Sequence, residues 1–349
     1  MGFNKGEWSE LYTFLYLLEN SNLVIVDENL QVINNKLFKI LEIILADKKY
    51  EIQPNQIIKL CNNREGKNYT ISDLSKQSKI LLSKIVAHKS ANGSFEIDEI
   101  SSFINDFFDG KKPKGASNVK GDLEANVADN RLNVCVNLKY NIKSSLGASA
   151  TLLNASNHTN FIYELTNIND NIMDANNAIH THNKLLDRCI FLNQNNVTIN
   201  FVKVESTTLD YNLKLVDSNL GIFLAEMLYL SYLKNEKNIK KLINFISKNQ
   251  DEYSFYEKKV GDFANAVTFG MRASEKWNGT NEVNGGIILV TKTGDVYLLD
   301  LIYFKNCVDK YLIDNIKLDS PSSSHYGMFD IYKENGRYFF KLNLQIRFK

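Results

Sequence analysis

The sequence is poor in the residues that staple or span. Four cysteines (Cys61, Cys135, Cys189, Cys307) are scattered over 349 residues, with no Cys-x-x-Cys pair and no histidine at ligand spacing. A disulfide framework and a structural zinc site are not expected, and each cysteine reads as a small buried hydrophobe in a reducing compartment. Neither sign of charge is in excess: 41 Lys and Arg against 40 Asp and Glu leave a net charge of +1. With no global basic field, any nucleic-acid surface must come from local clusters of Lys and Arg. Long apolar runs are missing too. The window GIFLAEMLYLSYL (221–233) contains Glu226 and falls short of the roughly 20 residues a bilayer requires. The opening MGFNKGEWSELYTFLYLLEN places acids ahead of its apolar stretch and has no basic n-region or small-residue cleavage site. The expectation is a soluble intracellular protein with no membrane partner.

What is present suffices for two domains, or one large domain with an insertion, since 44% of the residues are hydrophobic. Trp8, Leu11, Tyr12, Leu15 and Leu18 recur at helical spacing and predict a helix over 7–19. NLVIVDENLQVI (22–33) reads as a hairpin turning at Asp27–Asn29. KLFKILEIIL, NQIIKLC, ISDLSKQSKILLSKIVA and IDEISSFINDFF make 36–110 a mainly helical N-terminal insert. GKKPKGASN (110–118) has linker composition. Beyond it the period becomes strand-like: NVKGDLEANVA, then LNVCVNLKYNIKS, with Ala128–Arg131 as the turn. A Gly/Ser/Asn stretch (144–160), the strand FIYEL, helices near 218–234 and 236–248, and a closing set of strands follow. The expected division is 1–35 for the first helix and hairpin, 36–110 for the helical insert and candidate DNA clamp, and 111–349 for the core with its C-terminal strands.

Residues that can carry chemistry concentrate on the second hairpin. Asn141 and Lys143 stand at n and n+2 of one strand and share a face, which Asp122 reaches from the neighbouring strand. Phosphodiester hydrolysis uses oxygen ligands to hold Mg²⁺ beside the scissile phosphate, and a nearby lysine orients the nucleophile and stabilises the transition state. The layout resembles the PD-(D/E)xK nucleases. It departs from them at Gly121, where they carry proline, and at Asn141, where they carry a second acid; an amide oxygen can coordinate a metal but brings no charge. The plain alternative is a polar edge on an ordinary hairpin. Glu7 and Glu10 are i,i+3 neighbours at the start of the first helix, where acids also suit the helix dipole. A first-helix glutamate that reaches the metal recurs in the superfamily that this layout resembles.

NKGEWSELY (4–12), YNIKSSLGASATLLNASNHTNFIYEL (140–165), NGTNEVNGGIILV (278–290) and the tail LDSPSSSHYG…IYKENGRYFFKLNLQIRF resemble the HpaII family of type II restriction endonucleases. The resemblance implies an α+β or α/β fold with a restriction-endonuclease-like mixed sheet core flanked by helices. It implies a Mg²⁺-dependent enzyme, with Mn²⁺ as a substitute, that cuts double-stranded DNA at a short palindrome such as CCGG. A cognate cytosine methyltransferase is implied as a functional partner, in a bacterial cytoplasm; a palindrome suits a homodimer, or a monomer cutting the strands in turn. Asp122 and Lys143 fall on the catalytic positions. Glu10, four residues after Gly6, or Glu7 would replace the acid missing at Asn141. The expected metal ligands are thus Asp122, Glu10 and the backbone carbonyl of Ile142, with Asp129 and Glu164 in reserve.

Other residues suit DNA contact. In the tail, Leu342, Leu344, Ile346 and Phe348 alternate with Lys341, Asn343, Gln345 and Arg347. This is either a half-buried strand with a solvated face or a rigid platform that presents Asn343, Gln345 and Arg347 to base edges. The stretch after Lys143 offers Ser144, Ser145, Ser149, Thr151, Asn154 and Asn157, and Gly147 permits close backbone approach. DSPSSSH adds Ser322, Ser323, Ser324 and His325. Lys111, Lys112, Lys114 and Lys120 suit salt-dependent phosphate contacts, whereas Lys234–Lys241 suits a solvated helix face and His180 and His182 a solvated loop. Two other functions remain open on these residues: a sequence-specific DNA-binding protein with a degenerate nuclease site, and a structure-specific or non-specific repair nuclease.

Overall fold

A computed structural model of the chain describes residues 2–45, 48–54, 57–61, 67–90, 93–108, 110, 121–321 and 326–349. Its first elements are α1 (Lys5–Asn20), β1 (Asn22–Val26), β2 (Val32–Leu45), β3 (Lys48–Ile52), β4 (Ile57–Cys61), β5 (Lys67–Thr70), α2 (Ile71–Ala87), α3 (Asp98–Phe107), β6 (Leu123–Asp129) and β7 (Val134–Ser144). Next come β8 (Thr151–Leu153), β9 (Asn160–Thr166), α4 (Asp170–Asn177), α5 (Lys184–Gln194), β10 (Thr198–Val204), α6 (Thr207–Val216), α7 (Leu220–Leu233), α8 (Ile239–Ile246) and α9 (Gln250–Phe269). The chain closes with β11 (Gly286–Val290), β12 (Val296–Asp300), α10 (Lys305–Asn315), β13 (Ile316–Asp319), β14 (Tyr332–Glu334), β15 (Arg337–Asn343) and β16 (Gln345–Phe348). They fall into two compact units, Met1–Ala150 with Asn281–Tyr311, and Thr151–Thr280 with Leu312–Lys349. No described helix is long and apolar enough to cross a membrane.

In the first unit the described strands form a nine-stranded mixed sheet, ordered β1-β12-β11-β7-β6-β2-β3-β4-β5. β1 also pairs with β2, so the run from β1 to β2 closes on itself while β3, β4 and β5 continue outward. β2, β6 and β7 are antiparallel neighbours, and β11 runs parallel to β7 on its other edge. Helix α1 packs on this sheet. It starts at a capping box: Asn4 Oδ1 accepts from Glu7 N (3.0 Å) and Glu7 Oε2 accepts from Asn4 N (2.9 Å). Trp8, Leu11, Phe14, Leu15 and Leu18 are buried, and the buried Ser9 and Thr13 hydroxyls donate to carbonyls one turn back, so no hydroxyl is stranded.

The expected mainly helical insert is only partly helical. ISDLSKQSKILLSKIVA and IDEISSFINDFF form α2 and α3, but KLFKILEIIL lies in β2 and IIKLC is β4. The physical reason is a β-bulge: the β2–β6 register slips between Ile40 and Glu42. Phe38 and Ile40 are buried before the slip, Ile43 and Leu45 after it. One extra residue flips the strand's parity, and the resulting two-three-two spacing imitates a helical stripe. Isoleucine content favours the strand once partners on both edges are available.

The second unit holds a four-stranded sheet, β10-β9-β15-β14, and a three-stranded one, β13-β16-β8. The tail is not one continuous strand: it switches sheets at Leu344, whose N–H donates to Thr159 O (2.8 Å). Both faces of the tail are therefore covered at the switch, as at sheet corners in general. Asn343 is 0% exposed and Gln345 7%, so neither lies on the solvated face that alternation predicts.

Candidate active site

The hairpin β6–β7 pairs Leu123 with Tyr140, Glu124 with Lys139 and Asn126 with Asn137. Residues opposite one another share a face. Leu123, Ala125, Val127, Leu138, Tyr140 and Ile142 are buried on one face. The other carries Asp122, Glu124, Asn126, Asn137, Lys139, Asn141 and Lys143. This second face is tied together laterally: Glu124 and Lys139 approach to 3.8 Å, Asn137 donates to Asn126 (2.9 Å), and Asn126 donates to Glu42 on β2 (2.7 Å). The strand ends Ala128–Asp129, expected to turn, still pair, and the reversal takes residues 130–133, with Asn133 at φ 55°.

Asp122 stands just before β6. Its N–H donates to Tyr140 O (2.8 Å), and its Oδ2 accepts from Ile142 N (2.7 Å). Asp122 and the backbone of the Asn141-Ile142-Lys143 stretch are thus in direct contact. An ionised carboxylate offers about four lone-pair positions, so this bond leaves room for a further partner. Gly121 precedes it at φ +112°. Proline is locked near φ of about −65° and could not take this conformation, so the backbone here favours glycine. Asn141 is 5% exposed and Lys143 is half-buried.

The first-helix acids differ. Glu7 is the reciprocal member of the α1 capping box, while Glu10 lies one turn further on and is half-buried. Gly147 lies against the start of the same helix, where an added Cβ would stand 3.0 Å from the Cβ of Lys5. The reserve acids are engaged elsewhere. Asp129 accepts from Arg131 N (2.9 Å), Leu132 N (3.2 Å) and the Tyr303 hydroxyl (2.7 Å). Burial would raise its carboxyl, but these hydrogen bonds outweigh burial and hold it below the usual carboxylate range. Glu164 is clamped by the Arg337 guanidinium.

Ser144 ends β7 and its Oγ accepts from Leu146 N (3.1 Å), Ser145 is exposed, and Ser149 is half-buried, all in the first unit. Thr151, Asn154 and Asn157 belong to the second unit, with Asn154 and Asn157 exposed and Thr151 paired to Arg347. Asn343 donates to Ser156 O (2.6 Å) and Asn160 Oδ1 (2.7 Å) and accepts from Thr159 Oγ1 (3.1 Å). Arg347 lies 3.2 Å from Asp319, which also takes Lys237 at 3.0 Å. Ser322, Ser323, Ser324 and His325 lie outside the described residues, as do Lys111, Lys112, Lys114 and Lys120.

Two groups escaped the reading of the sequence. Glu124 lies two residues after Asp122 on the same face, a placement that the period of two already signals. Asn284 has no such signal: its Oδ1 accepts from Lys139 N (2.8 Å) across 145 residues of chain. Among the described residues no three His, Cys, Asp or Glu side chains gather at metal-ligand spacing.

A mixed sheet carrying a carboxylate and a lysine on adjacent strands is a frame on which a site-specific deoxyribonuclease can be built. Residues 4–348 match the family model described as HpaII restriction endonuclease. The chain is 34% identical over 360 aligned positions to the type II restriction enzyme HpaII of Haemophilus parainfluenzae, covering 99% of this chain and 98% of that enzyme. No solved structure matches. The chain belongs to the HpaII family of type II restriction endonucleases.

Proposed function

We propose that the chain hydrolyses double-stranded DNA at a short palindrome, CCGG by family likeness, in a Mg²⁺-dependent reaction centred on Asp122 and Lys143. The observation that carries this reading is the 2.7 Å bond between Asp122 Oδ2 and the N–H of Ile142, next to Lys143. We propose further that α1 with β2, β6, β7 and β11 is a PD-(D/E)xK core: an antiparallel meander followed by a strand parallel to its last member.

The donor chemistry fits a hard divalent cation. All the candidate ligands are oxygens (Asp122, Glu10 and the Ile142 carbonyl), and Mg²⁺ keeps several waters and takes only one or two carboxylates. A three-acid cluster is therefore not needed. When bound, the metal supplies Lewis-acid stabilisation of charge on the phosphate. Asp122 holds the start of β6 against Ile142 and directs its remaining lone pairs to the open face. Lys143 offers its ammonium protons to the phosphate oxygens and to the attacking water, and Asn141 contributes a neutral oxygen and amide protons. Ser144, Ser145, Ser149, Thr151, Asn154, Asn157 and Arg347 are the described candidates for DNA contact; Asn343 is buried, with both amide protons and its oxygen engaged from within. The partners proposed are duplex DNA, a cognate methyltransferase acting on the same site, and a second copy of the chain, in a bacterial cytoplasm.

Asn141 favours one other reading, a DNA-binding protein with a weakened site. Incubation of unmethylated plasmid with Mg²⁺ separates the two. Discrete fragments support the proposal; a sequence-specific shift without cutting supports the alternative, and a smear or junction-only cutting points to a repair nuclease.

A further inference from the structure

We propose that Asn284 is a positioning residue for DNA cleavage: its side-chain carbonyl replaces the missing end of a β-strand and fixes the part of β7 that carries Asn141 and Lys143. This rests on the active site proposed above. β11 begins at Gly286, which pairs with Tyr140. One residue earlier on β7, the N–H of Lys139 has no strand to meet. Asn284 Oδ1 accepts it at 2.8 Å, and Gly285 N donates to Lys139 O at 2.9 Å. An asparagine carbonyl thus occupies the place of a peptide carbonyl in the ladder, and both backbone groups of Lys139 are satisfied.

The segment around Asn284 has little freedom. A Cβ on Gly285 would stand 2.4 Å from the Tyr140 ring, and one on Gly286 would stand 2.1 Å from the Leu299 carbonyl oxygen, with φ at +128°. Only glycines permit this approach. Val283 is 0% exposed and lies against Gly121, the neighbour of Asp122. The same short stretch therefore touches both strands of the proposed site.

The consequence is a bracket. On the β6 edge of β7, Asp122 takes the N–H of Ile142; on the β11 edge, Asn284 takes the N–H of Lys139. Tyr140 and Asn141 lie between the two. Both brackets are side-chain acceptors at places where a neighbouring strand has run out, so the twist of β7 at the reacting face depends on them. Loss of one lets Lys143 shift relative to Asp122, and a displacement of about 1 Å lowers rates about 100-fold.

Asn284→Ala, Asn284→Ser and Asn284→Asp test this in the full-length protein. Three readouts are taken: single-turnover cleavage of a cognate duplex in saturating Mg²⁺, affinity for that duplex without metal, and amide exchange of the 136–143 peptide. Asn284→Ala is expected to cut about 10- to 100-fold more slowly, with affinity within about threefold and with faster exchange at 136–143. Asn284→Asp keeps an acceptor and should restore most of the rate and the protection. Asn284→Ser, whose hydroxyl is too short to span the gap, takes the place of the alanine variant if the latter does not fold. Wild-type cleavage by the alanine or serine variant, or an aspartate variant as slow as alanine, overturns the proposal. Asp122→Ala and Lys143→Ala are run alongside. If either cuts like wild type, the active-site assignment fails and the role of Asn284 falls with it; if both are dead while Asn284→Ala is normal, only the positioning role fails.

Discussion

The β6–β7 hairpin of the first unit and the β15–β16 tail of the second share one alternation of polar and apolar side chains and use it in opposite ways. On the hairpin, Leu123, Val127 and Tyr140 turn to the core while Asp122, Glu124, Lys139 and Lys143 remain partly exposed on the other face. In the tail Asn343 and Gln345 turn inward and are buried beside Leu342 and Leu344. What differs is the cover. The Ser156–Asn160 turn meets Asn343 with two acceptors and a donor, completing its amide. Over the hairpin's polar face the bonds run sideways, from strand to strand, and leave charged groups facing outward. A polar side chain on a strand serves a ligand where its own chain has not already used it; a completed, buried amide is structure.

The comparison would break most clearly at Lys143. Lys143→Ala is expected to slow cleavage by about 10²- to 10³-fold, the usual loss when a group stabilising transition-state charge is removed, while cognate duplex binding stays within a few-fold in anisotropy titrations. Asn343→Ala should do the reverse. Removing its amide takes away the hydrogen bonds to Ser156 O and to the buried Asn160 Oδ1, and about 1–3 kcal/mol of stability should be lost in urea titrations, with the preferred cleavage sequence unchanged. A shifted sequence preference at normal stability would make the tail a reader of bases after all.

At the two ends of β6 a pair of aspartates sharpens the contrast further, since Asp122, just before the strand, opens onto the polar face and Asp129 closes its other end. The folded Asp129 carboxyl lies below its ordinary value, so the stability it contributes is present above about pH 4 and is lost as the pH falls through the folded value. Asp129→Asn should make acid unfolding shallower and leave the cleavage rate at neutral pH untouched. The smallest effect is expected at Glu7. Glu7→Ala removes half of the α1 capping box, should lower stability by about 1 kcal/mol, and should leave cutting intact, whereas Glu10→Ala should slow it. Equal losses of cleavage from the two substitutions would undo the distinction between cap and ligand.

Much of this was visible in the sequence where the information is local. The α1 stripe, helices α2 and α3 and the β6–β7 alternation all follow from periods within a few residues. The approach of Asp122 to the Asn141–Lys143 stretch was legible because a period of two and a short turn suffice to bring them together. The bulge in β2 was not, because it exists only against β6, which lies more than seventy positions along the chain, and it gives an isoleucine-rich strand the spacing of a helix. The burial of Asn343 depends on a turn 187 residues away, and the reach of Asn284 to Lys139 spans 145. Neither has a local signature. Glu124 is the exception: its place two residues after Asp122 on the same face is a local feature.

Asp122→Asn tests the central claim most directly. The asparagine can still accept the N–H of Ile142 and hold the start of β6, but it carries no charge for a cation. The variant is predicted to melt close to wild type and to leave unmethylated plasmid uncut in Mg²⁺. A folded Asp122→Asn protein that cuts the plasmid into the wild-type fragments at the wild-type rate would contradict the account, because Asp122 would then be no more than a cap on β7.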